Sequence, residues 1–201
     1  MKLLLQNARL AFADIFTAVK IGDDPTSKPR FGCLLIVPPG TKASHTKEDG
    51  TKVVVTLDQA VTMVATEKWK AKASGVLAVL KGKDRVCFVP GPKLNKSGEI
   101  YDGFDGMHHI RASNEARPYT LDRNKTPLTE ADGRPYAGCY VNASIDMWAQ
   151  DNKWGQRINS TLLGLQFVRD GDAFSAGARG DTDDMEDLGD GAQTEEESDL
   201  A

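Results

Sequence analysis

Two segments near the end of the chain decide the fold: residues 136–148 read YAGCYVNASIDMW and residues 156–168 read QRINSTLLGLQFV. In the first segment the odd positions from Cys139 to Met147 are apolar, whereas the even positions carry aromatic and hydrogen-bonding side chains. This two-residue period is typical of a β-strand with one face in the core and one in solvent. Because residues 150–153 (QDNK) join the segments, the sequence predicts a long β-hairpin.

The even face of this hairpin is the first candidate functional surface. Pairing in the even register adds Trp154, Gln156 and Ser160 to that face and turns Leu163, Leu165 and Phe167 towards the core. Aromatic rings among polar groups on a solvated strand face form a platform on which unpaired nucleobases stack. The candidate stacking residues are Tyr136, Tyr140, Trp148 and Trp154. The alternative is that these rings cover a second small apolar cluster beneath the long loops.

Outward from the hairpin, the chain is predicted to be mainly β-structure. Strands are expected at residues 2–12, 30–37, 52–55, 85–89, 107–113 and 118–121. In the first strand, Leu4, Ala8, Leu10 and Phe12 are expected on one face. A capping box at Thr56 and Gln59 begins a helix over residues 57–73, and residues 76–80 form a second short helix or a strand. Five or more antiparallel strands with one main helix after the third predict an OB-fold-like, partly open Greek-key barrel over residues 1–178.

The charge of the chain is divided sharply between its body and its end. Residues 181–201 hold ten of the 29 acidic residues and no lysine or arginine, whereas residues 1–180 hold all 25 basic residues and 19 acidic ones, a net charge of about +6. Residues 179–201 are therefore predicted to be a disordered acidic tail. Such a tail is a solubilising or partner-binding segment, or an imitation of a nucleic-acid backbone that occupies a basic groove. Its candidate partner-binding residues are Asp181, Asp183, Asp184, Glu186, Asp187, Asp190, Glu195, Glu196, Glu197, Asp199 and Leu200.

Basic residues near the predicted strands are candidates for phosphate contacts. Each alone is most simply a solvated surface charge, but together they supply the positive balance that phosphate neutralisation requires. They are Lys28, Arg30, Arg111, Arg117, Arg123, Lys153 and Arg157.

Several other kinds of protein are disfavoured by the sequence. The chain has no phosphate-binding GxxxxGK[ST] motif and no CxxC pair, so an ATP-driven motor and a zinc ribbon are not expected. Asp102, Asp105, His108 and His109 resemble a nuclease metal site, but a glycine-rich turn entering a strand explains them more simply. The three cysteines are expected to be reduced and buried. No catalytic residue, metal, cofactor, signal peptide or membrane span is expected, which predicts a cytoplasmic protein.

The hairpin also resembles a known family. The residues YAGCYVNA at 136–143, Gly155 and the run LLGLQFVRDG at 162–171 are similar to phage-encoded single-stranded DNA-binding proteins with an OB-fold and an acidic C-terminal tail. Weaker similarities are NARLAF at residues 7–12 and the pair Arg117 and Pro118. The resemblance implies binding of replication or recombination intermediates in an infected bacterium and recruitment of replication proteins by the tail.

The sequence therefore predicts a non-enzymatic, sequence-independent binder of single-stranded DNA, with weaker binding of double-stranded DNA. The tail is expected to compete for the DNA groove and to recruit a polymerase, helicase or recombinase in the cytoplasm of the bacterial host. The alternative from another class is a phage structural or host-interaction protein with a solubilising tail and no nucleic-acid role. A metal-dependent nuclease is a third possibility.

Overall fold

The computed structural model describes residues 1–20, 28–47 and 49–174. Within these residues the β-structure comprises β1 (Lys2–Val19), β2 (Arg30–Val37), β3 (Lys42–Thr46), β4 (Lys52–Thr56), β5 (Phe88–Val89), β6 (His108–Asn114), β7 (Tyr119–Leu121), β8 (Tyr140–Asn152) and β9 (Gly155–Arg169). The helices are α1 (Leu57–Trp69) and α2 (Ala73–Gly82), with short 3₁₀ turns at Lys70–Lys72 and Glu130–Asp132. The predicted acidic tail lies outside the described residues.

Five of the strands close into a barrel. The order is β1–β2–β6–β9–β8, and β8 returns to pair with β1. This is the strand order of an OB-fold, which confirms the predicted fold class and shows that the barrel is closed rather than partly open. The expectation that all strands pair antiparallel is wrong, because β6 and β7 each pair with β9 in parallel.

The β3–β4 hairpin extends the sheet beyond the barrel. It is joined to β1 through the pair Leu4 and Ser44. The sequence predicts a polar loop over residues 40–50, but β3 forms there because each of its five residues pairs with a residue of β4. The helical segment consequently follows the fourth strand and not the third. The strand expected at residues 85–89 is limited to β5, which pairs with β6.

The helical segment begins where the sequence predicts. The Thr56 side chain accepts a hydrogen bond from the Gln59 backbone N–H, and the Gln59 side chain accepts one from the Thr56 N–H, completing the capping box. Leu57, Val61 and Val64 of α1 pack into the main core. Trp69 ends α1 and donates from Nε1 to Asp151 Oδ2 of β8 at 2.7 Å. The second helix, α2, continues to Gly82, so residues 76–80 are helical and do not form a strand.

The β8–β9 hairpin confirms one predicted face and corrects the other. Val141, Ala143, Ile145 and Met147 are fully buried, as the two-residue period predicts. On β9, however, Ser160 is buried and Leu163 is only half-buried, so the sequence placed both on the wrong face. The cause is a β-bulge: Ser144 pairs with Gly164 whereas Ile145 pairs with Leu162, which shifts the inward positions of β9 by one residue.

The first strand also departs from its expected face. Ala8 and Leu10 are buried, but Leu4 and Phe12 are exposed. The register of β1 against β8 shifts between Leu5 and Ala8. Phe12 has a backbone φ of +47°, a left-handed conformation that bulky residues rarely adopt. These two irregularities change which side chains point outwards, and they place the Phe12 ring on the barrel surface.

Two apolar clusters result. The main core fills the barrel and the space beneath α1 and α2, whereas a smaller cluster of Ala11, Leu34, Ile36 and Phe104 lies under the loop that precedes β6. The cysteines are unpaired and buried, as expected, and burial raises the pKa of the Cys33 and Cys87 thiols to about 12. No helix within the described ranges has the length and apolar character of a membrane span.

Candidate nucleic-acid interface

A groove of about 1010 Å³ crosses the outer face of the barrel. Its floor follows paired residues on successive strands: Asp14 of β1 pairs with Gly32 of β2, Gly32 with Ser113 of β6, and Ser113 with Thr161 of β9. Three of these four residues have small or short side chains, so the floor is open to an extended ligand. The walls are formed by larger aromatic and charged side chains.

Two of the predicted stacking residues stand at one end of this groove. The Trp148 side chain is 42% exposed, and its Nε1 donates a hydrogen bond to Thr161 Oγ1 at 3.0 Å, which fixes the ring against β9. Trp154 lies in the β8–β9 turn and is 74% exposed. An exposed indole costs solvation free energy unless a ligand covers it, so this end of the groove is suited to planar apolar ligands.

The charge of the groove is positive. Among the described residues that line it, two acidic residues, Asp14 and Asp84, face five basic ones, which are Arg30, Arg85, Lys93, Arg111 and Arg157. Of these, the sequence predicted Arg30, Arg111 and Arg157. Within residues 1–20, 28–47 and 49–174, no carboxylate forms an ion pair with Arg85, Lys93 or Arg157. Among the described residues, these three cations are therefore the groove cations least occupied by carboxylates.

Arg111 is held by a carboxylate inside the groove. Its guanidinium donates to both Asp84 carboxylate oxygens, at 2.7 and 2.9 Å, and to the Val86 carbonyl at 2.7 Å. The hydrogen bond from Arg111 lowers the pKa of the Asp84 carboxyl below its usual value, so the pair remains ionised at neutral pH. A phosphate that approaches Arg111 must compete with this bidentate partner.

Arg30 is also paired, at the outer edge of the groove. Its Nη1 lies 3.1 Å from a Glu115 carboxylate oxygen, and the predicted phosphate contact Lys28 lies 3.7 Å from the same carboxylate. All three side chains are well exposed, so solvent screens the pairs and they hold the two cations only weakly.

The remaining predicted phosphate contacts do not line the groove. Arg117 lies over the Phe16 ring at 5.3 Å, and Arg123 donates from Nε to the Val168 carbonyl while lying over Phe167. Lys153 is next to the groove, because its ammonium is 5.2 Å from the centre of the Trp154 ring.

Tyr136 and Tyr140 lie away from the groove, near the start of β8. The Tyr136 hydroxyl contacts the Asp170 carboxylate and the Gly171 carbonyl, each at 3.0 Å, and its ring packs against the main core. The Tyr140 ring is covered by the Arg169 guanidinium, whose central carbon is 3.4 Å from the ring centre. The structure thus brings Trp148 and Trp154 together and does not bring the two tyrosines to them.

The groove contains further residues that the sequence reasoning missed. They are Phe12, Tyr101, Lys93 and Arg85. The sequence places Phe12 on the same face of the first strand as Ala8 and Leu10, which are buried, and Tyr101 and Lys93 lie in a long loop without strand periodicity. Only the composition of this loop could have indicated that Tyr101 and Lys93 line a groove, since an aromatic residue within a loop rich in lysine and glycine is typical of a binding loop.

The two histidines of the sequence that resembles a nuclease metal site contact the Gly91 backbone. His108 Nδ1 accepts a hydrogen bond from the Gly91 backbone N–H at 2.8 Å, and His109 Nδ1 lies 3.3 Å from the Gly91 carbonyl. Burial lowers the pKa of His109, which favours the neutral ring. Across the described part of the chain, no group of three or more histidine, cysteine or acidic side chains is arranged to hold a metal ion.

Comparison with known proteins identifies the family. The model of a family described as the Enterobacter phage Enc34 ssDNA-binding protein matches residues 1–200. A curated relative, putative protein p50 of Acyrthosiphon pisum secondary endosymbiont phage 1, is 34% identical over 203 residues, and the match covers 100% of both chains.

Solved structures agree on the fold. The structure of the single-stranded DNA-binding protein from bacteriophage Enc34 in complex with ssDNA matches with a TM-score of 0.62 and 21% identity, covering 87% of this chain and 89% of that one. A second structure of the Enc34 protein gives a TM-score of 0.60 at 21% identity and covers 91% of this chain and 88% of that one. Since the family match spans nearly every residue and the barrel is shared, the chain belongs to the family of the phage Enc34 single-stranded DNA-binding protein.

Proposed function

We propose that this protein binds single-stranded DNA, without sequence preference, in the groove across β1, β2, β6, β9 and β8. The observation that carries the proposal is that one groove on an OB-fold barrel combines exposed indoles with cations that form no ion pair within the described part of the chain. The family to which the chain belongs consists of binding proteins and not enzymes, in agreement with the expectation from the sequence.

In the proposed mechanism, bases and phosphates are bound by different side chains. Bases stack on Trp148 and Trp154, each stack contributing about 1–3 kcal/mol irrespective of the base. Arg157 and Arg85 flank the same hairpin, and the Arg85 guanidinium lies against Gly155 in the β8–β9 turn. These cations neutralise phosphates and release counterions, which makes the affinity fall as salt rises.

The acidic tail is proposed to regulate the groove. Residues 181–201 carry ten negative charges on the same chain as a body of about +6, so their effective concentration at the groove is of millimolar order. DNA must displace the tail, and the apparent affinity falls by the fraction of time that the groove is occupied. Binding of double-stranded DNA is weaker because the tail opposes its non-specific phosphate attraction.

When DNA has displaced the tail, the tail is available to other proteins. We propose that its acidic run and its Leu200 and Ala201 end recruit a polymerase, helicase or recombinase during phage DNA replication and recombination. The site of action is then the cytoplasm of the infected bacterium, where the single-stranded intermediates arise. Residues 1–178 form the binding domain in this scheme and residues 179–201 the regulatory tail.

A salt titration tests the binding proposal. The affinity for a fluorescent oligothymidine should fall linearly on a log–log plot against salt, with a slope of about −0.7 per neutralised phosphate. The control is Lys52→Gln on β4, outside the groove lining, which should leave the slope unchanged. If oligothymidine does not bind even at low salt, the proposal is refuted and the structural or host-interaction alternative replaces it.

Truncation after Gly180 tests the tail. The truncated protein should bind single strands more tightly at low salt, with little gain once high salt shortens the Debye length to about 3 Å. It should also bind duplex DNA more readily and lose the recruitment of replication proteins. Equal affinities of the full and truncated chains at low salt would refute the competition and leave the tail as a partner tether alone.

A further inference from the structure

We propose that Phe12 and Tyr101, together with Lys93, form a second base-stacking subsite at the end of the groove opposite Trp148 and Trp154. This inference rests on the proposed binding of single-stranded DNA and names which part of the chain holds the far end of the strand. The three residues come from β1 and from the loop before β6, and all three line the groove.

The two rings are presented to solvent as a preformed pair. Phe12 is 45% exposed and Tyr101 is 36% exposed, and their ring centres lie 5.2 Å apart in an edge-to-face arrangement. Phe104 is buried beneath them, with its ring centre 6.4 Å from each. The buried ring fixes the exposed pair, so a base that stacks there loses little free energy to ordering the site.

The backbone conformation of Phe12 indicates that the surrounding structure holds its ring in the exposed position. Phe12 adopts φ +47°, which is costly for a large aromatic residue and persists only where the surrounding structure enforces it. The consequence is that Phe12 leaves the core face of β1 and lies in the groove. A Phe that only had to fill the core would not require this conformation.

A cation accompanies the rings. Tyr101 and Lys93 are neighbours across a small loop hairpin, in which the Tyr101 N–H donates to the Lys93 carbonyl at 3.1 Å. The Lys93 ammonium lies 5.7 Å from the Phe12 ring centre and 5.9 Å from that of Tyr101. A stacked nucleotide would therefore find a phosphate partner beside its base, as at Trp154 and Lys153 on the other side.

The two aromatic ends are separated by the width of the groove floor. β8 pairs directly with β1 only over Lys2 to Arg9, which precede Phe12. Across the groove floor, the outer path from Asp14 through Gly32, Ser113 and Thr161 to β8 takes four inter-strand steps, an arc of about 19 Å at the usual spacing of neighbouring strands. A short oligonucleotide can contact one end only, whereas a longer one contacts both. The inference therefore predicts that affinity depends on length in two stages within the 4–16 nucleotides typical of an OB-fold.

The structural alternative is that Phe12 and Tyr101 merely cover the small cluster around Phe104. Leucine distinguishes the two roles, because it keeps apolar cover but has no π-face. The Phe12→Leu/Tyr101→Leu variant of the full chain is compared with wild type, with Tyr101→Phe as a conservative variant. Tyr119→Leu is the matched control, since Tyr119 is an exposed tyrosine outside the groove lining.

The experiment measures the affinity of each protein for oligothymidines of 4 to 16 nucleotides at low salt. Wild type, Tyr101→Phe and Tyr119→Leu should gain affinity between the short and long oligonucleotides, and the double leucine variant should lose about 5- to 150-fold on the long ones only. A 5-iodouracil placed near one end of a long oligonucleotide should crosslink to Phe12 or Tyr101 on irradiation.

Two outcomes would overturn the inference, and they are distinguishable. If the folded double leucine variant binds long oligonucleotides as wild type does, the rings are cover and the second subsite does not exist, although the binding function stands. If wild type binds no oligonucleotide of any length, the proposed function itself fails and the subsite fails with it.

Discussion

Aromatic residues lie at both ends of the β8–β9 hairpin, but their surroundings differ. At the turn end, Trp148 and Trp154 are exposed in a groove that is also lined by Arg85 and Arg157. At the other end, Tyr136 is hydrogen-bonded to Asp170 and Gly171, and Tyr140 is covered by the Arg169 guanidinium. The two ends therefore differ in whether other side chains cover the rings.

The difference shows that an outward-pointing ring is a binding residue only if its face remains uncovered. A base that stacked on Tyr140 would have to displace a guanidinium already in van der Waals contact with the ring. A base that stacked on Trp154 would displace water. We therefore propose that DNA binds at the turn end and that the rings at the tyrosine end stabilise the fold.

The largest expected effect comes from removing the indoles. Trp148→Ala and Trp154→Ala should each weaken binding of oligothymidine by about 1–3 kcal/mol, because each removes one stacking surface. Tyr140→Ala, the matched variant at the other end, should change affinity far less. Fluorescence anisotropy with a labelled oligothymidine measures all three, and a greater loss in Tyr140→Ala than in either tryptophan variant would reverse the assignment of the two ends.

The next effect comes from the cations. Arg157→Gln and Arg85→Gln should weaken binding of all sequences alike and should each reduce the salt slope by about 0.7, the contribution of one phosphate on a single strand. Arg123→Gln is the comparison at the other end, because Arg123 is held by the Val168 carbonyl. The prediction fails if the salt slopes of Arg157→Gln and Arg85→Gln match that of wild type.

How far the sequence predicted this arrangement depends on the element. The mainly β character, the start of the capped helix and the core face of β8 follow from local sequence patterns, since side-chain alternation and capping are local properties, whereas the closure of the barrel depends on long-range pairing. The inward face of β9 did not follow, because a β-bulge opposite Ser144 changes the register without any sequence mark.

The residues that line the groove were also predicted only in part, because some of them are exposed through irregular backbone and long-range contacts. Trp148, Trp154, Arg30, Arg111 and Arg157 were identified, because exposed aromatic and basic residues on strands are visible in the sequence. Phe12 and Tyr101 were not, since their exposure depends on a left-handed residue and on a loop packed against Phe104. The pairing of Arg111 with Asp84 joins residues 27 positions apart and is a property of the tertiary structure alone.

A smaller effect, of opposite sign, is expected from Asp84→Asn. This substitution releases Arg111 from its carboxylate and removes a negative charge from the groove, so affinity for single strands should rise several-fold at low salt. Titrations of wild type and variant in parallel measure the gain, with Asp58→Asn on α1 as the control outside the groove. Weaker binding by Asp84→Asn would show that the pair positions Arg111 for DNA, and unchanged binding would show that Arg111 makes no phosphate contact when released.

The same pair has a defined pH dependence. Because Arg111 lowers the pKa of Asp84 in the folded protein, the stability that the pair contributes is present above the ordinary carboxyl pKa of 3.8. It is lost as the pH falls through the lowered value. The charge on Asp84 also separates the DNA affinities of the two proteins. At neutral pH Asp84 is charged in wild type and position 84 is neutral in Asp84→Asn, so the affinities should differ, and they should converge only in strong acid, where Asp84 is protonated.

The smallest effect on binding is expected at the tyrosine end. Tyr136→Phe removes the hydroxyl that contacts Asp170 and Gly171, so the free energy of unfolding should fall by about 1–2 kcal/mol while DNA affinity stays unchanged. Urea denaturation measures the first quantity, with Tyr119→Phe as the control for an exposed ring. A loss of DNA affinity without loss of stability would instead place Tyr136 in the interface.

The most direct test of the account is the quenching of tryptophan fluorescence by oligothymidine. The chain has three tryptophans, of which Trp69 is buried against Asp151 and the other two stand in the groove. The account predicts strong quenching in wild type and almost none in Trp148→Phe/Trp154→Phe, although the double variant still binds by anisotropy because phenylalanine also stacks. Undiminished quenching in that variant, or binding by wild type without quenching, would contradict the claim that DNA stacks on these two indoles.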